Sequence, residues 1–116
     1  MKVKVKNNIT EELLKSVGFH IEDGIWTYRK EVYKGCVEMV VRIWFPDEED
    51  DHFSSDIIIV DKGTNSVYAA YYNDFGKDEV VKEVRKNVES TTRYLVHKGI
   101  FAVINKRKTF CNDKRR

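Results

Sequence analysis

The densest chemical feature of the sequence is a run of acidic side chains. Segment 46–56 reads PDEEDDHFSSD and contains six acids and no base. A calcium loop of the EF-hand type needs ligands at alternating positions and a central glycine, whereas this segment begins with proline and has no glycine. The pattern therefore favours either a solvated loop or a loop that contacts a protein partner. The candidate partner-binding residues are Asp47, Glu48, Glu49, Asp50 and Asp51.

A second cluster has the opposite charge. Segment 105–116 reads NKRKTFCNDKRR, with six bases against one acid. Basic side chains bind phosphates and an aromatic ring between them can stack on a base, so this segment indicates a possible nucleic-acid contact. The candidate residues are Lys106, Arg107, Lys108, Phe110, Lys114, Arg115 and Arg116.

Aromatic residues elsewhere bear on the same hypothesis. On an open sheet face they would form a stacking platform for bases; otherwise they belong to the core or to cross-strand pairs. These residues are Trp26, Tyr28, Trp44, Tyr68, Tyr71 and Tyr72. The sequence leaves both possibilities open.

Motifs for catalysis are not found. The histidines His20, His52 and His97 are far apart, and the two cysteines, Cys36 and Cys111, form no CxxC pair. No GxSxG motif occurs, and the six glycines stand singly, so no phosphate-binding loop is predicted. We therefore expect a protein that is not an enzyme and that uses no metal or cofactor.

The net charge of +2 conceals separated blocks of charge. Segment 46–56 carries −6, segment 105–116 carries +5, and the first six residues add +3 through three lysines, so the remainder is neutral. Blocks of this kind are typical of interaction segments. The isoelectric point of about 8.5 is lower than that of most nucleic-acid-binding domains.

Length and composition limit the class of protein. A chain of 116 residues suits one hydrophobic core, and it has neither an apolar run of membrane-spanning length nor a signal-peptide pattern. We expect a cytoplasmic monomer or homodimer without membrane contact. Fourteen lysines against seven arginines, with three alanines and one proline, are typical of AT-rich coding sequences and suggest a phage or mobile element as the source.

The elements that must position these clusters follow from periodicity and capping. A short helix is predicted over Glu11–Val17, between the N-cap Thr10 and Gly18, and a long helix over Asp78–Lys98, ending at Gly99. Period-2 and apolar runs predict strands between the helices, with segment 56–61 as a central strand and segment 66–72 completing a hairpin. The predicted strands are 19–24, 25–33, 36–45, 56–61 and 66–72, with 100–104 as a last strand or packed turn.

This order predicts an α+β fold. An antiparallel meander of four to five strands packs against the long C-terminal helix and the short N-terminal helix as a two-layer sandwich. We expect a single domain over residues 1–104 and a flexible basic tail over 105–116. The leading hypothesis is a non-enzymatic protein–protein interaction module, such as an inhibitor of a host defence nuclease. The alternative is a nucleic-acid-binding module that uses the tail and exposed sheet aromatics.

Overall fold

A computed structural model describes residues 2–73 and 78–104 of the chain and confirms the α+β fold. A five-stranded antiparallel sheet packs against the helices, and a two-stranded ribbon joins the ends of the described chain. The elements in chain order are β1 (Val3–Val5), α1 (Glu11–Val17), β2 (His20–Glu22), β3 (Ile25–Tyr33), β4 (Val37–Trp44), β5 (Ser54–Asp61), β6 (Ser66–Val67), α2 (Ala69–Tyr72), α3 (Glu79–His97) and β7 (Phe101–Val103).

Helix α1 has the predicted bounds because both of its ends are capped. The Thr10 hydroxyl accepts a hydrogen bond from the Leu13 N–H at 3.1 Å. At the other end, Gly18 has φ +123°, and a Cβ at this position would lie 3.3 Å from the Tyr28 ring. Glycine is therefore required both by the backbone conformation and by the close approach of Tyr28.

The five strands of the large sheet lie in the order β2-β3-β4-β5-β6, so the predicted meander is confirmed. One face, here called the core face, carries the apolar side chains of β4 that the alternation predicts, together with Trp26 of β3 and Ile59 of β5. The opposite face, here called the outer face, carries Arg29, Arg42, Trp44 and Asp56 among smaller apolar residues. In the described residues, α1 and α3 pack on the core face, whose apolar side chains form one buried cluster with those of the helices.

Helix α3 supplies the second layer of the core. The Asp78 carboxylate accepts hydrogen bonds from the Val80 and Val81 N–H groups, which fixes the start of the helix. The chain turns at Gly99, which has φ +87°. The buried residues follow the predicted spacing of three and four along one side of the helix: Val81, Val84, Val88, Thr91, Thr92 and Leu95.

The prediction of a strand over 66–72 is wrong after Val67. Strand β6 has only two residues, and the chain then forms the single helical turn α2. Ala69 and Ala70 favour helix over strand. The turn is held against β5, because the Tyr68 N–H donates to the Ile59 carbonyl at 2.8 Å and the Tyr72 hydroxyl accepts from the Ile59 N–H at 3.1 Å.

The strand predicted over 56–61 is confirmed, but its predicted central position, with a strand on both sides, holds only at its C-terminal end. Strand β5 begins two residues earlier, at Ser54, and pairs with β4 along its whole length. On its other side it pairs with β6 at Val60 and Asp61 alone. Short β6 therefore leaves most of the edge of β5 that faces away from β4 without a hydrogen-bonded strand in the described chain, although β1 approaches part of this edge.

The ends of the described chain meet in the ribbon β1–β7. Val3 lies opposite Val103 and Val5 lies opposite Phe101, and Phe101 is fully buried in the core. Of the two alternatives expected for 100–104, a last strand or a packed turn, the structure shows a strand at Phe101–Val103, and its partner is the alternating segment Val3–Val5. In the described part of the chain, no helix is long and apolar enough to cross a membrane. The basic segment 105–116 lies outside the described residues.

Candidate protein-interaction surface

The acidic residues lie in the connection between β4 and β5, which we call the acidic loop (residues 46–52). Its shape is set by Asp47. The Asp47 carboxylate accepts hydrogen bonds from the N–H groups of Glu49 at 2.9 Å and Asp50 at 2.8 Å, and the Asp47 N–H donates to the Asp50 carbonyl at 2.8 Å. Asp47 thus folds the loop into a tight turn, a role that aspartate side chains commonly have.

Two phenylalanines close the base of the acidic loop. The rings of Phe45 and Phe53 meet edge to face with centroids 4.9 Å apart, and both are half-buried against the core. Because this pair fixes where the chain leaves β4 and enters β5, the acidic loop projects from an anchored position. The loop is therefore a turn with its own internal hydrogen bonds.

The carboxylates on the acidic loop differ in what they contact. Glu48 and Glu49 are exposed and have no side-chain partner among residues 2–73 and 78–104. The His52 Nδ1 lies 2.9 Å from an Asp51 carboxylate oxygen and 3.3 Å from an Asp50 carboxylate oxygen. These three side chains are all exposed and lie close together. The contacts of the two carboxylates with the His52 imidazole explain why they do so. The loop as a whole presents a negative surface to solvent.

Beside the acidic loop, an ion pair between Arg42 and Asp56 covers part of the outer face of the sheet. Arg42 donates two hydrogen bonds to the Asp56 carboxylate, at 3.0 and 2.6 Å, from the neighbouring position on β4. The hydrogen bonds to Asp56 raise the pKa of the Arg42 guanidinium above its usual value. The same guanidinium lies 5.3 Å from the centre of the Trp44 ring, so Trp44 is partly covered.

A second ion network covers the far side of the outer face. Arg29 donates to both oxygens of Glu22, each at 2.8 Å, and to Glu38 at 2.7 Å. His20 contacts the same Glu22 carboxylate. Hydrogen bonding to Arg29, assisted by His20, lowers the pKa of Glu22 to about 2. The arginines on the outer face are therefore satisfied by carboxylates of the same face.

The aromatic residues do not share one open face in the described part of the chain. Trp26 is buried on the core face, and Tyr28 on the same face packs against Phe19 with ring centres 5.2 Å apart. Trp44 lies on the outer face, while Tyr71 and Tyr72 belong to α2. Tyr68 precedes that turn, at its N-cap. The stacking platform required by the nucleic-acid alternative is thus not formed by these residues.

A groove runs beside the acidic loop, between strand β1 and the start of β5 on the edge that faces away from β4. It has a volume of about 820 Å³. Lys4 and Lys6 line the β1 side, whereas Asp51, His52 and Ser55 line the other side. The sequence analysis missed this groove, because it depends on the pairing of β1 with β7, which are distant in sequence. The only signal for it was the alternation of lysine and valine in β1.

The structure thus brings Asp47–Asp51 together on one anchored loop, while the candidate tail residues Lys106, Arg107, Lys108, Phe110, Lys114, Arg115 and Arg116 lie outside the described residues. The ion pairs of the outer face were also missed, although the antiparallel alternation of β4 and β5 could have suggested the Arg42–Asp56 pair.

Comparison of the chain with protein-family models, with curated proteins and with solved structures finds no match.

Proposed function

We propose that this protein is a non-enzymatic protein-binding module and that the acidic loop is its contact with the partner. The observation that supports this most is the shape of the loop. Asp47 and the Phe45–Phe53 pair hold the backbone, while Glu48 and Glu49 remain exposed without a partner in the described chain. A surface that is already ordered loses less conformational entropy on binding.

The charge of the loop defines the partner surface. A negative loop is complementary to a positive patch and increases the rate at which such a partner associates. A basic groove that binds nucleic acid is one surface of this kind, because an acidic protein can occupy it in place of phosphates. We therefore propose a host defence nuclease as the partner and a phage or mobile element as the source of the chain.

The test neutralises three exposed carboxylates of the acidic loop and keeps Asp47, which shapes the turn. We compare the triple variant E48Q/E49Q/D51N with the wild type and with the control E12Q/D23N/E83Q, which removes three exposed acids outside the loop that have no side-chain partner in the described chain. A partner is captured on the wild-type protein, and its association rate is then measured with each variant. We expect the loop variant to associate about tenfold more slowly and the control to resemble the wild type. Equal rates for all three proteins would exclude the acidic loop as the interface.

A further inference from the structure

The groove beside β1 leads to a more specific inference about the partner. We propose that Lys4 and Lys6, here called the lysine pair, bind an acidic side chain of the partner protein in this groove. The partner surface then carries a carboxylate next to the basic patch that meets the acidic loop. This inference rests on the proposed function, because it takes the partner to be a protein, and it names the second charge that the partner must present.

The lysine pair is held in place by the ribbon β1–β7. Lys4 lies opposite Ala102, and the Lys6 N–H donates to the Ile100 carbonyl at 2.9 Å. Val5, between the two lysines, is buried in the core, and successive residues of a strand direct their side chains to opposite faces. Lys4 and Lys6 therefore share the face away from the core, with Cα atoms roughly 7 Å apart. This spacing allows both ammonium groups to reach one carboxylate.

The lysine pair has no acidic partner within the described residues. Both side chains are exposed, and neither forms an ion pair there. The arginines of the outer face differ in this respect, because each of them is bound by a carboxylate of that face. Exposed lysines elsewhere, such as Lys34 and Lys86, also have no carboxylate, but only the lysine pair lines this groove. Its charge is therefore available at a concave surface.

The other residues that line the groove suit a single carboxylate. Ser54 and Ser55 line it from β5. Asn7 and Asn8 line it just beyond the lysine pair. Hydroxyl and amide groups donate hydrogen bonds to carboxylate oxygens. Asp51 also lines the groove, so two lysines against one aspartate leave a charge of +1 with histidine neutral.

The acidic loop makes a nucleic-acid strand a poor occupant of the groove. Asp51 and His52 belong both to the loop and to the lining of the groove, so the two surfaces are adjacent. Successive phosphates of a strand in the groove would approach the carboxylates of the loop, and like charges repel. A protein surface avoids this repulsion when it places an acid at the lysine pair and bases at the loop.

Adjacent charges of opposite sign also make the surface selective. A uniformly basic surface is attracted by the acidic loop but repelled by the lysine pair. A surface that carries both charges in the matching order is attracted by both. The lysine pair thus distinguishes one kind of basic protein from others that the acidic loop alone would attract.

The test compares two peptides with blocked termini that differ only at their acidic end. The bipolar probe is Lys-Lys-Lys-Gly-Ser-Gly-Glu-Glu, and the basic probe has glutamine in place of both glutamates. The acidic loop alone favours the basic probe, whose net charge is higher. The proposal predicts the opposite order. We expect the wild-type protein at about 20 mM salt to bind the bipolar probe about threefold more tightly, which is the strength of an exposed ion pair.

Substitution of the lysine pair should reverse this order. In K4Q/K6Q we expect the basic probe to bind more tightly, because the acidic loop then determines the preference. The matched control K34Q/K86Q removes two exposed lysines without a carboxylate partner in the described chain, and it should keep the wild-type order. NMR titration of the nitrogen-labelled full chain measures the affinities. The Lys4 and Lys6 amides should shift more with the bipolar probe than with the basic probe.

The order of the two probes on the wild type does not depend on the folding of any variant. Equal or tighter binding of the basic probe by the wild type would overturn the proposal and leave the contact at the acidic loop standing. In E48Q/E49Q/D51N both probes should bind more weakly, with the bipolar probe still preferred. If both probes bind this variant as tightly as the wild type, and the preference still depends on the lysine pair, the groove contact stands and the acidic loop alone is excluded.

A nucleic-acid strand is tested in the same titration. A single-stranded oligonucleotide of about eight nucleotides should leave the Lys4 and Lys6 amides of the full chain unshifted, whatever it does elsewhere. Displacement of the bipolar probe from these two residues by the oligonucleotide would assign the groove to phosphates and overturn the carboxylate contact.

Discussion

At the scale of single residues, the same type of side chain has different roles according to its neighbours. Asp47 accepts two backbone hydrogen bonds and shapes the acidic loop, whereas Glu48, the next residue, is exposed without a side-chain partner in the described chain. Glu22 lies in an ion network and titrates well below its usual range. Composition alone counts these residues as equivalent acids, but the structure separates those that maintain the fold from those available to a partner.

The role of Asp47 predicts a local effect on substitution. Asp47→Ala removes the acceptor for the Glu49 and Asp50 N–H groups, and each lost bond costs about 0.5–1.5 kcal/mol of loop stability. We expect hydrogen exchange at these two amides to become about five- to tenfold faster, with little change in the midpoint of thermal unfolding. The control Glu48→Ala should leave the exchange rates unchanged. Equal exchange in both variants would show that the Asp47 turn is not formed.

The lowered pKa of Glu22 predicts a pH dependence of stability. The pKa of Glu22 is about 2 in the folded protein against 4.5 for an unperturbed carboxyl, so the ionised carboxylate contributes stability above pH 4.5 that is lost as the pH falls towards 2. We expect Glu22→Gln to lower the urea midpoint at pH 7 and to approach the wild type near pH 2. The matched variant Glu48→Gln should show no such convergence. A constant gap between wild type and Glu22→Gln over this range would contradict the assignment.

At the scale of elements, local sequence signals predicted most of the fold. Helix α1 has the predicted bounds because Thr10 and Gly18 cap it, and α3 differs by one residue at each end because its capping and apolar stripe are strong. The alternation of β4 also predicted which side is buried. Two features were predicted wrongly, the turn α2 and the pairing along the edge of β5 that faces away from β4. Both depend on contacts between residues distant in sequence, such as Tyr72 with Ile59. Local propensity contains no information about such contacts, and for the same reason the groove beside β1 was not predicted.

The contact of Tyr72 with β5 can be tested directly. Tyr72→Phe removes the acceptor for the Ile59 N–H and leaves that donor without a partner, which costs about 1 kcal/mol. We expect a lower thermal midpoint and faster exchange of the Ile59 amide. Tyr94→Phe is the matched control, because its hydroxyl makes no hydrogen bond within the described residues. Equal stability of the two variants would show that the Tyr72 hydroxyl does not anchor α2.

At the scale of the whole molecule, the separated charges distinguish the two candidate functions. Segment 105–116 carries +5, and removing it from a chain of net charge +2 leaves −3. The described residues place the acidic loop beside the groove, and they form no shared open face of aromatic residues. Nucleic-acid affinity, where it exists, is therefore expected to come from the tail, whereas protein binding is expected to come from the body.

This difference predicts how the chain behaves with DNA. We expect the full chain to bind a random duplex of roughly 20 base pairs only weakly, with an affinity that falls steeply as salt rises from about 50 to 200 mM, because binding to phosphates releases counterions. The chain ending at residue 104 should show no binding even at the lowest salt, since its net charge is −3. Fluorescence anisotropy of the labelled duplex measures both proteins. The captured protein partner should bind the two forms equally, which serves as the control for folding. DNA binding by the shortened chain at the strength of the full chain would place a nucleic-acid surface on the body and contradict the assignment of nucleic-acid affinity to the tail.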